Sequence, residues 1–459
     1  MLALLLPPLL VAAALRLAAL LVLAGGLPQI GDANGYLYLA REWRLHPGNF
    51  TWLITGVRPP LHRMLIAPGL DSDPVPDVWG DAPDAYPGVY LIQIAVDLAT
   101  IALVMVLARR RFGPRAARWA GWIAALYPQS ILLASGLVLA EGPAAFASVL
   151  ALLALDALDR RLEQGAAAAR LAWQAAITGA LLGVGILTKE ILLPVTAVFA
   201  AALLLRPRTS WPRRVLLAAG ATAVAFLVAL PWALHNRSEH GVMVWSGTFS
   251  DYSLAADNAP PGVNGARMWR KWTTIQQRHE KAREIFRDAL LEYPGLTAQR
   301  ALIRLRIGLG PDVMLPAYAS MRYEGFLPDA TDDFAMSRSG WVLPPGWGRR
   351  VQLLCGLGTV LLFALAVAGL CAAPRGMLAR TAVLMTLMLY ATLAATVADG
   401  RYRHGLLPFA LPFAGLAASL LFDRAERALR EPAARRRALV GGLVAAAFLL
   451  ATVFLLPAP

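Results

Sequence analysis

Charged side chains stand at the ends of several long apolar runs in this chain. Asp32 follows the first run, Glu141 precedes a later one, and Lys189, Arg401 and Arg403 lie at the ends of others. A carboxylate within hydrogen-bond reach of an attacking group can act as a general base. Preorganised Lys and Arg side chains stabilise negative charge that develops on a leaving group. These residue types are the ones that a group transfer with an anionic leaving group requires.

Counting along each helix from the basic residues beyond its other end gives these side chains a common depth. Glu141 lies nineteen residues before Arg160, roughly 28 Å at the rise of an α-helix. Lys189 lies seventeen residues before Arg206, roughly 26 Å. The same count gives roughly 32–35 Å for His235, Asn236, Arg401 and Arg403. Since the hydrocarbon core of a bilayer is about 30 Å thick, we predict that these residues meet at one membrane face.

Each residue also has a purely structural explanation. Asp32 suits the N-terminus of the helix that follows it, because Asp accepts hydrogen bonds from backbone N–H groups there. Glu141 precedes Gly142-Pro143, and a proline is favoured in a first helical turn. Lys189 and Arg401 suit anchors whose charged ends reach the membrane surface. The depth that they share favours a site over these separate explanations.

The elements that carry these residues are predicted to be transmembrane helices. The 459-residue chain is 58% hydrophobic and 16% charged, against roughly 25% charged in soluble domains. A transmembrane helix needs about 20 apolar residues. Eleven runs qualify, at approximately 3–26, 88–108, 115–133, 136–158, 171–188, 190–206, 215–235, 351–373, 381–398, 404–422 and 438–457. We predict an all-α polytopic membrane protein with about eleven transmembrane helices.

Basic residues set the predicted orientation. They cluster in alternate short connections, at 109–118, 160–170, 206–214, 375–380 and 424–437. The positive-inside rule makes these connections cytoplasmic. They also account for much of the net charge of +14, so nucleic-acid binding is a poor interpretation. The charged residues of interest then face the external or periplasmic side of a plasma (inner) membrane.

This topology divides the chain into three predicted regions. They are an N-terminal transmembrane module (1–235) with a first outer loop (27–87), an external region (236–350) and C-terminal transmembrane helices (351–459). In the first outer loop, Tyr36, Leu39, Ala40 and Trp43 recur at helical spacing, which predicts an amphipathic helix along the membrane surface. Residues 71–87 are rich in Asp and Pro and break regular structure. Residues 276–307 read as one or two surface helices.

Two charged residues fall at the middle of the membrane. Arg16 lies in the first run and Asp97 lies twelve residues before Arg109, so both come out roughly 18–21 Å from the inner face. An unpaired charge at that depth is costly. We therefore predict that Arg16 and Asp97 pair with each other or share water.

Six short stretches resemble the GT-C superfamily of polyprenyl-phosphate-sugar-dependent glycosyltransferases. The likeness is to bacterial relatives of the protein O-mannosyltransferases and of the aminoarabinose transferase that modifies lipid A. The stretches are Gly31-Asp32 with Tyr36 and Ala40-Arg41, Arg58-Pro59-Pro60-Leu61, Leu139-Ala140-Glu141, Leu187-Thr188-Lys189, Pro231-Trp232 with Asn236, and Arg401-Tyr402-Arg403 with Pro408. Their order and spacing span residues 25–425.

The chain departs from the family pattern at three points. His62-Arg63 stands where members commonly have Tyr-Pro, and His235 replaces the usual Arg before Asn236. Ala33 stands where the eukaryotic O-mannosyltransferases have a second carboxylate. These differences bear on the acceptor more than on the reaction type.

The resemblance implies an inverting glycosyltransferase that moves a hexosyl or pentosyl group from a polyprenyl-phosphate donor. The acceptor would be a hydroxyl, amine or phosphate group of a lipid, glycan or protein. Asp32 is implied as the base, with Glu141 as the second catalytic carboxylate. The implied donor-phosphate ligands are Arg58, Lys189, Arg401 and Arg403. The implied substrate contacts are Tyr36, His62, His235, Asn236 and Tyr402.

Two questions stay open at this level. Some superfamily members need a divalent cation, so Mg or Mn held by Asp32 and Glu141 is an option, although no His is placed as an obvious further ligand. The competing function is a transporter or flippase for a lipid-linked or anionic substrate. Transporters place charges near the midplane and show internal repeats. Here the charges gather at one face and no repeat is visible, which favours the enzyme.

Overall fold

A computed structural model describes residues 2–22, 32–48, 57–70, 86–207, 209–309, 347–396, 400–422 and 432–451. This part of the chain forms eighteen α-helices and no strand. In chain order they are α1 (Leu2–Val22), α2 (Asp32–Leu45), α3 (Pro60–Ile66), α4 (Pro87–Phe112), α5 (Pro114–Leu126), α6 (Pro128–Gly136), α7 (Glu141–Glu163), α8 (Ala168–Ile186), α9 (Val195–Leu204), α10 (Trp211–His240), α11 (Phe249–Asp257), α12 (Gly265–Arg270), α13 (Ile275–Glu292), α14 (Pro294–Leu309), α15 (Trp347–Ala372), α16 (Met377–Ala395), α17 (Leu407–Phe422) and α18 (Pro432–Leu450).

Eight helices in the described residues are long and apolar enough to cross a membrane. They are α1, α4, α7, α8, α10, α15, α16 and the Arg401–Phe422 segment that contains α17. The predicted all-α polytopic architecture is therefore confirmed, whereas the exact count of eleven spans is not. The predicted surface helix of the first outer loop is α2, and the predicted surface helices of the external region are α13 and α14. Most of the Asp/Pro-rich stretch, residues 71–85, lies outside the described residues.

The predicted span at 115–133 is two helices instead of one. Helix α5 ends at Leu126, Tyr127 is extended (φ −70°, ψ 112°), and α6 begins at Pro128. A proline disfavours helical dihedral angles at the residue before it, which explains the break at Tyr127.

The predicted spans at 190–206 and 438–457 are not among the eight long apolar helices of the described residues. In the first, Pro194 separates a short 3₁₀ turn from the ten-residue helix α9. In the second, α18 begins with a basic turn that lowers its apolar length, and residues 452–459 lie outside the described part of the chain.

Small residues allow α8 and α10 to pack closely. A Cβ atom added at Gly179 would lie 2.2 Å from the Ala221 carbonyl oxygen, and one at Gly183 would lie 2.7 Å from that of Ala225. The four-residue spacing puts both glycines on one face of α8, the pattern typical of close helix pairs in membranes. This contact fixes the end of α8 from which Lys189 follows.

The predicted pairing of Arg16 and Asp97 is confirmed. Arg16 Nε donates to Asp97 Oδ2 at 2.5 Å, and both residues are buried. The Arg16 guanidinium also donates to the carbonyl oxygens of Ala12 and Ala125. The pair thus joins α1, α4 and the end of α5 inside the bundle.

Breaking this pair is expected to destabilise the bundle. Arg16→Met leaves a buried carboxylate at Asp97 without its partner, which costs about 3–5 kcal/mol. The double variant Arg16→Met/Asp97→Leu removes both charges and is expected to recover much of that loss. Thermal unfolding of the detergent-solubilised proteins measures both effects. A double variant no more stable than Arg16→Met would show that the two charges do not interact.

A second set of ion pairs fixes α7 at its opposite end. Asp159 accepts from Arg111 Nη2 at 2.8 Å and from Arg206 Nε at 2.9 Å, and Asp156 also binds Arg111. These contacts join the ends of α4, α7 and α9 at the face predicted to be cytoplasmic. Because α7 is rigid, they also fix the position of Glu141, its first residue.

Helices α11–α14 form a layer, called here the external layer, on the other side of the bundle. Helix α13 begins with a capping box in which Thr274 and Gln277 satisfy each other's backbone N–H groups. Arg304 of α14 donates to the carbonyl oxygens of Asp257 at 2.5 Å and of Ala394 at 2.9 Å. These bonds fasten the layer to the end of α16.

Candidate active site

Asp32, the first residue of α2, binds two arginines that are distant in sequence. Its Oδ1 accepts from Arg58 Nη2 at 2.6 Å, and its Oδ2 accepts from Arg401 Nη2 at 2.7 Å. Both oxygens are therefore engaged by guanidinium groups. The capping role considered from the sequence does not account for these contacts.

Glu141, the first residue of α7, lies on the other side of Arg401. Its Oε1 is 2.7 Å from Lys189 Nζ and 3.7 Å from Arg401 Nε. Arg401 therefore stands between the two carboxylates, with one nitrogen directed to each.

Glu190 completes the group and was not found from the sequence. Its Oε1 is 4.0 Å from Arg58 Nη1, and its Oε2 accepts from the backbone N–H of Ser250 at 3.2 Å. Its position directly after Lys189, at the same depth, is the signal that could have indicated it. We call the six residues Asp32, Arg58, Glu141, Lys189, Glu190 and Arg401 the charged cluster.

The segment before α3 is fixed by backbone hydrogen bonds to two other parts of the chain. Val57 and Thr248 exchange two bonds of 2.9 Å, one to the Val57 carbonyl and one to the Thr248 hydroxyl. The Leu61 N–H donates to the Leu187 carbonyl at 2.9 Å. Pro59 and Pro60 restrict the intervening backbone. Arg58 is thereby held on a rigid segment next to the residues that follow α8.

The approach to α7 is fixed by a glutamine of α4. Gln93 donates from Nε2 to the Leu137 carbonyl at 3.0 Å and accepts the Leu139 N–H at 3.3 Å. These bonds satisfy the extended backbone that precedes Glu141. Gln93 of α4 thus helps to position the Glu141 carboxylate at the start of α7.

The charged cluster is balanced, with three carboxylates facing three cations. Arg58, Glu141 and Arg401 are buried, and the other three residues are partly exposed. The Glu141 side chain is 4% exposed and those of Arg58 and Arg401 are 6% exposed. Burial alone would raise the pKa of Asp32, but Arg58, Arg401 and Lys189 outweigh it and hold this pKa well below its usual range. Asp32 is therefore ionised throughout the physiological pH range in this arrangement.

Two aromatic residues and a histidine flank the cluster. The Tyr36 ring lies 5.6 Å from the Arg58 guanidinium and meets His62 edge-on at 4.6 Å between ring centroids. Burial lowers the pKa of His62 to about 3, so its ring is neutral near pH 7. The Tyr402 ring lies 5.5 Å from Lys189 Nζ and 5.3 Å from the Arg401 guanidinium. Neutral rings thus line the cluster on two sides.

The other three predicted site residues make hydrogen bonds or ring contacts to groups outside the cluster. Arg403 donates to the Gly308 carbonyl at 3.0 Å, which joins its turn to α14. The His235 ring stacks on Trp232 at 5.5 Å. The buried Asn236 amide donates to the carbonyl oxygens of Trp232 and Val244, both at 3.0 Å. The structure therefore brings eight of the eleven predicted residues together, and a substrate role for these three stays a prediction.

The divalent cation considered from the sequence does not fit this arrangement. Asp32 and Glu141 are bridged by Arg401, whose positive charge lies where a shared metal ion would bind. Among the described residues, no group of three or more His, Cys, Asp or Glu side chains is placed to hold a metal ion. The side chains alone therefore supply the chemistry of this site.

A family model described as dolichyl-phosphate-mannose-protein mannosyltransferase matches residues 84–235. The match includes Glu141 and Lys189 and ends within α10. No sequence among curated proteins matches the chain.

Solved structures of other proteins are similar to this chain. The apo oligosaccharyltransferase of Archaeoglobus fulgidus matches with a TM-score of 0.52 and 17% identity, over 100% of this chain and 56% of its own. ArnT of Cupriavidus metallidurans bound to undecaprenyl phosphate matches with a TM-score of 0.49 and 17% identity, over 96% and 64%. AglB of A. fulgidus with an inhibitory peptide and a dolichol-phosphate gives 0.47 and 17%, over 99% and 56%. The chain spans less than two thirds of each of these proteins. The family model agrees over its matched residues with the resemblance drawn from the motifs, and the oligosaccharyltransferase match shows the shared fold.

Proposed function

We propose that this chain, a multi-pass membrane protein with the fold of the GT-C superfamily, is a glycosyltransferase. It takes its sugar from a polyprenyl-phosphate donor and transfers it at the external face of a plasma (inner) membrane. The neighbours are described with undecaprenyl phosphate or a dolichol-phosphate bound, which supports this class of carrier lipid. The acceptor is a hydroxyl, amine or phosphate group.

The observation that carries the proposal is the bridge made by Arg401 between Asp32 and Glu141. Six charged side chains from five separate parts of the chain gather there. Burying charges costs free energy that their pairing returns only in part, so such a cluster is weak evidence of a stabilising role. Carboxylates whose pKa is strongly shifted, and which lie beside cations at one end of a bundle, are typical of a functional site.

The first step is an exchange of partners. The donor phosphate is an anion with two free oxygens, and arginine binds such a group with two parallel hydrogen bonds. We propose that Arg401, Arg58 and Lys189 turn from the carboxylates to this phosphate when the donor enters. Asp32 then loses the cations that lower its pKa, and burial raises its basicity.

The second step is the transfer itself. The acceptor oxygen or nitrogen forms a bond to the anomeric carbon, and its proton passes to the Asp32 carboxylate. The bond between the anomeric carbon and the phosphate oxygen breaks, and its electron pair stays on the phosphate. Arg401, Arg58 and Lys189 stabilise that new negative charge, as preorganised cations do in a water-poor site. Attack opposite the leaving group inverts the configuration.

The remaining residues have supporting roles in this scheme. Glu141 orients Lys189 and Arg401 through its ion pairs. The rings of Tyr36, His62 and Tyr402 give the sugar neutral surfaces to pack against. The external region predicted at 236–350 contributes to the choice of acceptor.

The test follows the carrier lipid. Purified protein in nanodiscs is given a panel of polyprenyl-phosphate sugars with membrane extract as the source of acceptor, and released polyprenyl phosphate is measured by mass spectrometry. Release that depends on both one donor and the extract is the expected result. No release with any donor, together with movement of lipid between leaflets, would contradict the glycosyltransferase and indicate a transporter.

A further inference from the structure

Three separate segments are joined on the external side of the charged cluster. Residues 244–250, called here the strap, run from the end of α10 to the start of α11. The Ser246 hydroxyl donates to the Ile186 carbonyl at 2.6 Å, and Trp232 Nε1 donates to the Ser246 carbonyl at 2.7 Å. Thr248 pairs with Val57 as described above. The strap therefore holds the segment before Arg58 and the residues that follow α8 in one unit.

Glu190 lies at the centre of this unit. The Oε2 atom accepts the Ser250 N–H at 3.2 Å, in the first turn of the nine-residue helix α11, where a carboxylate also suits the helix dipole. The Oε1 atom lies 4.0 Å from Arg58 Nη1. A Cβ atom at Gly247 would lie 2.1 Å from Oε1, so the strap leaves room for this carboxylate only because residue 247 is a glycine.

Arg58 therefore has a different carboxylate at each terminal nitrogen. Its Nη2 binds Asp32 at 2.6 Å, and its Nη1 faces Glu190. In the proposed reaction Asp32 gives up its arginines and accepts a proton, so it no longer holds Arg58 in place. Glu190 takes no part in that exchange and keeps an anion beside Nη1.

We propose that Glu190 is a positioning residue for the donor phosphate. It orients Arg58 while the hydrogen bond donated by Arg58 Nη2 changes its acceptor from Asp32 to the phosphate. It also links that arginine to α11. This inference rests on the proposed glycosyltransferase function and assigns a third carboxylate to its site.

The external layer is also bonded to the helix that precedes Arg401 in the chain. Asn258, which follows α11, donates to the Ala395 carbonyl at 3.0 Å, and Arg304 donates to that of Ala394. These residues end α16, the helix that precedes Arg401 in the chain. The start of α11 is thus connected to Arg58 through Glu190. Asn258, directly after α11, is bonded to the last residue of α16.

Glu190→Gln is the principal test variant. The amide oxygen can still accept the Ser250 N–H, but the charge that faces Arg58 is lost. The matched control is Glu284→Gln on α13, an exposed carboxylate whose partner is Lys281. We expect Glu190→Gln to raise the donor KM and the Kd for polyprenyl phosphate by about tenfold. We expect kcat to stay within about threefold and unfolding to match that of the control.

Gly247→Ala is the second variant and leaves Glu190 in the chain. Its methyl group displaces the Glu190 carboxylate from Arg58, so the donor KM is expected to rise in the same direction. A role confined to folding would instead lower the stability of both variants without separating KM from kcat.

The outcomes separate the two proposals. If the wild-type protein transfers sugar and Glu190→Gln keeps the control's donor KM and Kd, Glu190 is not a positioning residue and the glycosyltransferase stands. If the wild-type protein binds polyprenyl phosphate without transfer, the transferase proposal fails and the Kd comparison still decides the role of Glu190. A wild-type protein that neither binds nor transfers overturns both.

Discussion

Asp32→Asn is expected to lower kcat/KM by about 10²–10⁴-fold, the range by which a positioned general base accelerates a reaction. The asparagine has nearly the same shape but cannot take the acceptor proton. The measurement is the rate of polyprenyl-phosphate release with the donor identified by the panel. Asp288→Asn, which removes a surface carboxylate beside Arg287 on α13, is the control.

Binding distinguishes a base from a residue that only builds the site. In Asp32→Asn, Arg58 and Arg401 no longer have the carboxylate with which the donor phosphate competes. The Kd for polyprenyl phosphate is therefore expected to stay unchanged or fall while turnover is lost. Equal turnover in Asp32→Asn and Asp288→Asn would remove Asp32 from the mechanism, and a joint loss of binding and turnover would assign it a structural role.

Much of the site could be predicted because depth along a straight helix is a one-dimensional quantity. Counting at 1.5 Å per residue placed Glu141 and Lys189 at one level from the sequence alone. The same count paired Arg16 with Asp97 in the middle of the membrane, where an unpaired charge is costly. The Arg16–Asp97 pair is confirmed, and Glu141 and Lys189 lie 2.7 Å apart. For residues in membrane helices, the depth in the bilayer can therefore be predicted from little more than their position in the chain.

The direction in which a side chain points cannot be obtained from depth. Successive residues on a helix are about 100° apart, so neighbours at one level face different partners. Asn236 and Arg403 share the predicted level, yet their described contacts are backbone carbonyls. Glu190 lies in a 3₁₀ turn that precedes Pro194 and α9, whereas the sequence interpretation began a continuous helix at this residue. Proline breaks also explain why the span at 115–133 was wrongly taken as one helix.

The arrangement of the carboxylates also depends on contacts between parts of the chain that are distant in sequence. From the sequence, Asp32 and Glu141 were candidate ligands for one divalent cation. The structure puts the Arg401 guanidinium between them, so each carboxylate is neutralised by a side chain instead. That arginine lies 369 positions after Asp32 in the chain, and no local pattern indicates such a contact.

Arg401→Gln is expected to have the second large effect, because this residue serves both carboxylates. Loss of a preorganised cation that faces the leaving group lowers kcat by about 10²–10³-fold. Leaving buried carboxylates without this partner also costs about 3–5 kcal/mol of stability. Arg401→Lys keeps the charge, but a single ammonium cannot contact Asp32 and Glu141 from two separate nitrogens, so it is expected to restore stability more than turnover. Full activity in Arg401→Lys would contradict the bridging role.

The pH dependence of kcat/KM in Arg401→Gln is an independent test of the same bridge. In the wild-type protein Arg58, Arg401 and Lys189 outweigh burial and hold the Asp32 pKa below its usual range. The stability from ionised Asp32 is therefore present above the unfolded-state pKa of about 3.9 and is lost only as the pH falls below it. Without Arg401, burial is less opposed and the Asp32 pKa rises. The acid limb of kcat/KM is then expected at higher pH in Arg401→Gln than in the wild type. An unshifted limb would mean that Arg401 does not control the charge of Asp32, and the partner exchange proposed for donor binding would lose its driving force.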